Sequence, residues 1–206
     1  MLRQLTSLIG IFAVAGLAVW PFVQPVSDSA VRQSSPLQTG DELKPCFVDA
    51  AGSLVAIFFG SMQQQLEVRG DALLCSGKLD SVSGRSRLAF STEQAGFDAN
   101  IVIVIGLENV LENTTQKGLP TNLTLLDQDS GLFFGTQGFG RCWTDLSQAL
   151  AADRARTSYY NASGEVYCAG AIPQIQGPGS VTISALKFAG HLVITNPTSA
   201  VETKQL

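Results

Sequence analysis

From Ser53 onward the chain reads as short apolar runs of period two, rich in β-branched and aromatic side chains and divided by turn formers. The runs are SLVAIFF (53–59), QLEV (65–68), DALLC (71–75), SRLAFS (86–91), ANIVIVI (99–105), NLTLL (122–126) and GLFF (131–134). They continue with FGRCWTDL (139–146), TSYYN (157–161), GEVYCAG (164–170), SVTISALKF (180–188) and HLVIT (191–195). Successive strand side chains point to opposite faces, so each run predicts a strand with one face on a core. ANIVIVI is nearly all apolar and reads as a central strand covered on both faces. Only Ala189-Gly190 separates the last two runs, the strongest hairpin signal in the chain. SQALAADRAR (147–156) breaks the pattern, because Ala and Leu at helical spacing predict a short helix there. A dozen short strands closely punctuated by turns predict a mainly β domain, an antiparallel β-sandwich or a distorted barrel.

Before these runs the pattern changes completely. Residues 5–23 carry no charge, and Arg3 with the free amine supplies a positive start. The apolar stretch LTSLIGIFAVAGLAVW exceeds the roughly 7–15 residues usual for the hydrophobic region of a signal peptide. It also approaches the ~20 residues that cross a bilayer as a helix. An N-terminal hydrophobic helix over 1–29 is therefore expected, as a signal cleaved after Ser29 or as a retained signal-anchor. Residues 30–44 are poor in large apolar side chains and read as a linker to a β domain over 45–206. Both readings of the segment place that domain outside the cytosol, whether periplasmic, on the cell surface or secreted.

Export changes the meaning of the four cysteines. Cys46, Cys75, Cys142 and Cys168 are an even count, and in an oxidising compartment they predict disulfides. Their surroundings echo each other: Cys46-Phe47-Val48-Asp49 resembles Cys142-Trp143-Thr144-Asp145, and Gly70-Asp71 stands before Cys75 as Gly164-Glu165 stands before Cys168. The echo suggests two similar halves, 45–118 and 119–206, and pairs Cys46 with Cys75 and Cys142 with Cys168. Each bond would close a loop of roughly 27–30 residues and contribute on the order of 3 kcal/mol.

Composition narrows the function classes. Only 15% of the 206 residues are charged, the net charge is −4, and no run of Lys or Arg occurs. A nucleic-acid partner needs a basic face to displace counterions, so that class is set aside. The single histidine, His191, has no framed nucleophile, and no second His is available for a metal site, so no cofactor or metal is expected. Asp127-Gln128-Asp129-Ser130-Gly131 resembles the start of a calcium loop but lacks its closing Glu, and reads as an acidic turn. Asp49 and Asp145 are the one carboxylate pair that the echo brings to notice, for a hydrolase reading. GLFFGTQGFG (131–140) lacks the Lys-Ser/Thr of a phosphate loop. Its Phe133, Phe134 and Phe139, with Trp143, are candidates for an apolar partner or ligand surface. Sequons begin at Asn113, Asn122 and Asn161, and in a eukaryotic chain the first two would mark surface loops. The function these observations favour is a non-catalytic exported module that binds a protein or glycan partner. A small apolar-ligand carrier and a carboxylate-dependent hydrolase are the alternatives.

Overall fold

A computed structural model describes residues 43–46, 52–96, 99–154 and 157–195, the side chains of Arg154 and Thr195 excepted. The N-terminal hydrophobic segment and nearly all of the linker lie outside the described residues. About two thirds of those described are strand: β1 (Lys44–Pro45), β2 (Ser53–Gly60), β3 (Gln64–Arg69), β4 (Leu74–Asp80), β5 (Arg85–Ser91) and β6 (Ile101–Leu107). Then follow β7 (Thr115–Asp127), β8 (Leu132–Gly135), β9 (Cys142–Arg154), β10 (Thr157–Cys168), β11 (Ile172–Pro173) and β12 (Ser180–Thr195). A single 3-10 turn, Gly70–Ala72, precedes β4, so the run at 71–75 is a turn leading into a strand.

The strands pair in the order β4-β5-β6-β7-β9-β10-β12, and β12 returns to β4 to close a seven-stranded barrel. Closure abolishes the sheet edges there. All the neighbours run antiparallel except at the seam, where Val193 and Ile194 pair in parallel with Lys78 and Leu79. The β2–β3 hairpin continues the sheet outward from β12, and β1 lies along β4. Period-two side chains fill the interior: Leu88, Phe90, Ile101, Ile103, Ile105, Leu123, Leu125, Leu192 and Ile194 are fully buried. Each such side chain contributes about 1.5–3 kcal/mol on leaving water. In β6 the opposite face is only half-buried, so ANIVIVI is central in the sheet but fully covered on one face alone.

Two expectations fail for identifiable reasons. Residues 147–154 of the expected helix continue β9 instead. Helix propensity yields to pairing, because β10 takes β9 along its whole length while β7 and the backbone carbonyl of Thr114 take its other edge as far as Gln148. Ala189-Gly190 is not a hairpin either, because β12 passes straight through it as a 16-residue strand. Gly190 is small because a Cβ there would stand 3.0 Å from the Phe90 ring and 3.3 Å from Cys46 Sγ. The glycine marks a close approach rather than a turn.

Both disulfides form as the echo suggests, Cys46–Cys75 and Cys142–Cys168. Their settings differ. Between Cys46 and Cys75 the chain makes the whole β2–β3 hairpin, whereas Cys142 and Cys168 face each other directly at the foot of the β9–β10 hairpin. Strand β7 runs across the 118/119 boundary, and β12 pairs with both β2 and β4. The stretches 45–118 and 119–206 are thus interleaved in one sheet.

Candidate functional site

The four aromatic candidates do not come together. Phe134 is fully buried in the core. Phe139 is half-buried in the loop before β9, and Phe133 is 39% exposed. Phe133 lies opposite Leu126 of β7, while Trp143 lies opposite Pro120. Those partners are six positions apart, about 20 Å along the strand. The run 131–143 therefore builds no single surface.

Trp143 has another partner. Directly across β9–β10 it meets Tyr167, with ring centroids 6.2 Å apart and planes inclined by 24°. Tyr167 is 47% exposed, so the pair forms an aromatic platform on the outer wall of the barrel. The sequence held a signal for it. Antiparallel register steps one residue inward from each cysteine, so a Cys142–Cys168 bond across neighbouring strands places Trp143 against Tyr167.

The next outward row, about 7 Å further along, holds Asp145, Glu165 and Lys187 side by side across β9, β10 and β12. Lys187 Nζ lies 3.5 Å from Glu165 Oε2. Asp145 Oδ1 accepts a 2.9 Å hydrogen bond from the amide of Gly118, at the point where β7 slips register against β9. The third row is small and polar: Thr115, Ser147 and Ser163, with the Thr115 and Ser147 hydroxyls 3.0 Å apart. The two latter rows line an open hollow of about 330 Å³, together with Lys117. Ser147 and Ser163 also line a second hollow of about 230 Å³, which extends past Asn161 to Gly190. The result is a shallow trough, with hydroxyl and charged groups set in a largely apolar lining, beside an aromatic platform. Trough and platform suit contact with an extended ligand through ring faces and hydroxyl groups.

The carboxylates have other work. Asp145 holds the β7 bulge, and its expected partner Asp49 lies outside the described residues. Asp127 Oδ1 accepts the amides of Asp129 and Ser130, and Asp129 Oδ2 accepts the amide of Asn100 at 2.7 Å. That segment is an acidic turn between β7 and β8. The same D-x-x-S-G turn joins β4 to β5, where Asp80 takes the Val82 amide and the Ser83 hydroxyl. The Ser83 hydrogen bond, with the Val82 and Ser83 amides, holds the Asp80 carboxyl below its usual range. Gly84 and Gly131 end these turns in the left-handed region, at φ of 65° and 69°.

Of the sequon asparagines, Asn113 is in an exposed loop, whereas Asn122 lies within β7 with its Oδ1 bonded to the Thr136 hydroxyl. The second sequon is therefore a strand position and not a surface loop. His191 is half-buried with Nδ1 3.6 Å from Cys75 Sγ, and burial lowers its pKa. Sequence spacing gave no sign of this neighbour, since 116 residues separate the two. No protein-family model matches the chain, and no similar curated protein or solved structure is found.

Proposed function

We propose that the chain is a non-catalytic exported module that binds a glycan on the outer wall formed by β9 and β10. The stacked Trp143–Tyr167 pair beside the Asp145–Glu165–Lys187 row carries this reading. Sugar rings present C–H faces that settle on aromatic rings, and their hydroxyls pair with carboxylates, ammonium groups and serines. An open trough accommodates a chain of sugars running past it, where an enclosed pocket would take one small molecule. Two disulfides and the N-terminal apolar segment support an exported setting.

The test is binding of the full chain to immobilised neutral and acidic oligosaccharides, with Trp143→Ala and Tyr167→Ala in parallel. Each loss is expected to weaken binding several-fold to about tenfold, since an aromatic contact contributes about 0.5–1.5 kcal/mol beyond its buried area. Binding by the parent that both variants retain in full would remove the platform from the account. No binding to any sugar would turn attention to a protein partner. For that second reading the exposed Leu111 and Leu150 are the observation, on segments joined where the Leu150 amide donates to Asn113 Oδ1 and Gln148 Nε2 donates to the Leu111 carbonyl.

A further inference from the structure

Strand β12 forks. Through Ala189 it pairs with β2, and at Val193 and Ile194 it pairs with β4. Residues 190–192 bridge the gap between these two pairings, and the Cys46–Cys75 disulfide sits against them. Cys46 Sγ is 3.7 Å from the Ala189 carbonyl oxygen, and the site of the missing Gly190 side chain is 3.3 Å from the same sulfur. On the other flank His191 Nδ1 is 3.6 Å from Cys75 Sγ. The two sulfurs and the ring nitrogen all lie within 4.8 Å of one another.

That spacing has a chemical meaning. Tetrahedral zinc holds sulfur at about 2.3 Å and imidazole nitrogen at about 2.0–2.1 Å, which sets the two ligands roughly 3.6 Å apart. His191 and Cys75 already stand at that separation. Only the two sulfurs must part, from bonded contact to roughly 3.8 Å. Two thiolates and an imidazole are a soft set that selects Zn²⁺ or Cu⁺ over hard cations. Both cysteines are buried and His191 is half-buried, so the site is screened from competing water. The second disulfide has no such neighbour, because His191 is the only histidine in the chain.

We propose that Cys46, Cys75 and His191 form a thiol-gated site for a soft d¹⁰ cation, with the disulfide as its closed state. A dithiol supplies the two electrons. Its thiolate attacks the disulfide, a mixed disulfide forms, and the reductant leaves as its own cyclic disulfide with Cys46 and Cys75 as thiols. The cation then displaces the two thiol protons to solvent and takes the lone pair on Nδ1 of neutral His191. The sulfur–sulfur bond thus joins Cys46, just after β1, to β4, and a bound cation would tie both of them to β12 through His191.

The experiment uses the full chain carrying Cys142→Ser and Cys168→Ser, so that reduction frees Cys46 and Cys75 alone; it is reduced with a phosphine and titrated with Cd²⁺ while thiolate-to-metal charge transfer is recorded. One strongly bound Cd²⁺ per chain is expected, with Zn²⁺ competing only in excess because thiolates favour the softer ion, and none before reduction. Cys75→Ser should abolish that binding. Loss of a partner that merely orients a metal ligand weakens affinity about 10–100-fold, so His191→Ala should weaken it at least about tenfold. Equal binding by His191→Ala, or binding that survives Cys75→Ser, overturns the proposal by placing the metal elsewhere. Circular dichroism covers loss of fold on reduction. Recovery of the sheet signal on adding Cd²⁺ to the parent but not to His191→Ala supports the site, and no recovery in the parent refutes it.

Discussion

Behind the Trp143–Tyr167 platform two hydroxyl groups hold β7 to β9, and they are not equivalent. Thr121 and Thr144 are both fully buried, with their Oγ1 atoms 2.7 Å apart. Thr121 donates to the Leu119 carbonyl at 2.9 Å, which uses its one proton. The proton shared within the pair therefore comes from Thr144. Thr121→Val leaves that buried donor without an acceptor, at a cost of about 1–3 kcal/mol. Thr144→Val leaves Thr121 its carbonyl partner and removes one hydrogen bond, about 0.5–1.5 kcal/mol. The double variant orphans no donor, so it should cost less than the sum of the two singles. In a domain of this size each kcal/mol lowers Tm by about 2–4 °C. Urea unfolding of the oxidised protein measures the three values, with an unchanged m-value as the check that only stability moved. Thr144→Val costing as much as Thr121→Val, or a strictly additive double variant, would refute the assignment of the proton.

Four further outcomes follow. Labelling of the unreduced, denatured protein should find no free thiol, and reduction should expose four; any label before reduction contradicts the pairing seen here. Gly190→Val should destabilise by about 1–3 kcal/mol through overpacking against Phe90 and Cys46, whereas a surface turn would tolerate it. In the oxidised protein, burial holds His191 below its ordinary pKa of about 6.5, so the unfolded chain binds more protons as pH falls past that value. Its contribution is complete above that pH and is lost on acidification toward the lower folded value; His191→Gln should flatten that part of the stability profile, and an unchanged slope would disprove the linkage. Sequencing of exported material should begin at Ala30 under the cleaved-signal reading, while Met1 retained in a membrane fraction would favour the anchor.

The strands were legible because alternation is a local signal. SRLAFS and SLVAIFF, for instance, lie within one residue of β5 and β2. What local signals cannot register is a neighbour far along the chain. Ala189-Gly190 has the composition of a turn, and only the Phe90 ring and Cys46 sulfur packed beneath it explain the glycine. SQALAADRAR has the propensity of a helix, and pairing of Ser147 to Arg154 with β10 overrides it. Of the candidate surface, Trp143 is recognisable by its aromatic character, but local sequence offers it only the nearby phenylalanines as companions. The true companion, Tyr167, was recoverable only by carrying the register inward from the disulfide. His191 beside Cys75 had no antecedent in the sequence, because the contact exists only once the barrel closes.

Closure at the β4–β12 seam also sets an order of events. The pairing of Lys78 with Val193 joins residues from opposite ends of the domain, so its loop-closure entropy must be met before the contact gives anything back. Until β12 arrives, β10 and the Lys78–Leu79 end of β4 each keep an unpaired edge, and the sheet cannot become a barrel. A chain threaded outward through a membrane pore would therefore reach the far side as an open, curling ribbon. Its final turn into a sealed cylinder would wait for the last sixteen-residue strand, and any chain cut short of Val193 would stay open and prone to edge-to-edge association.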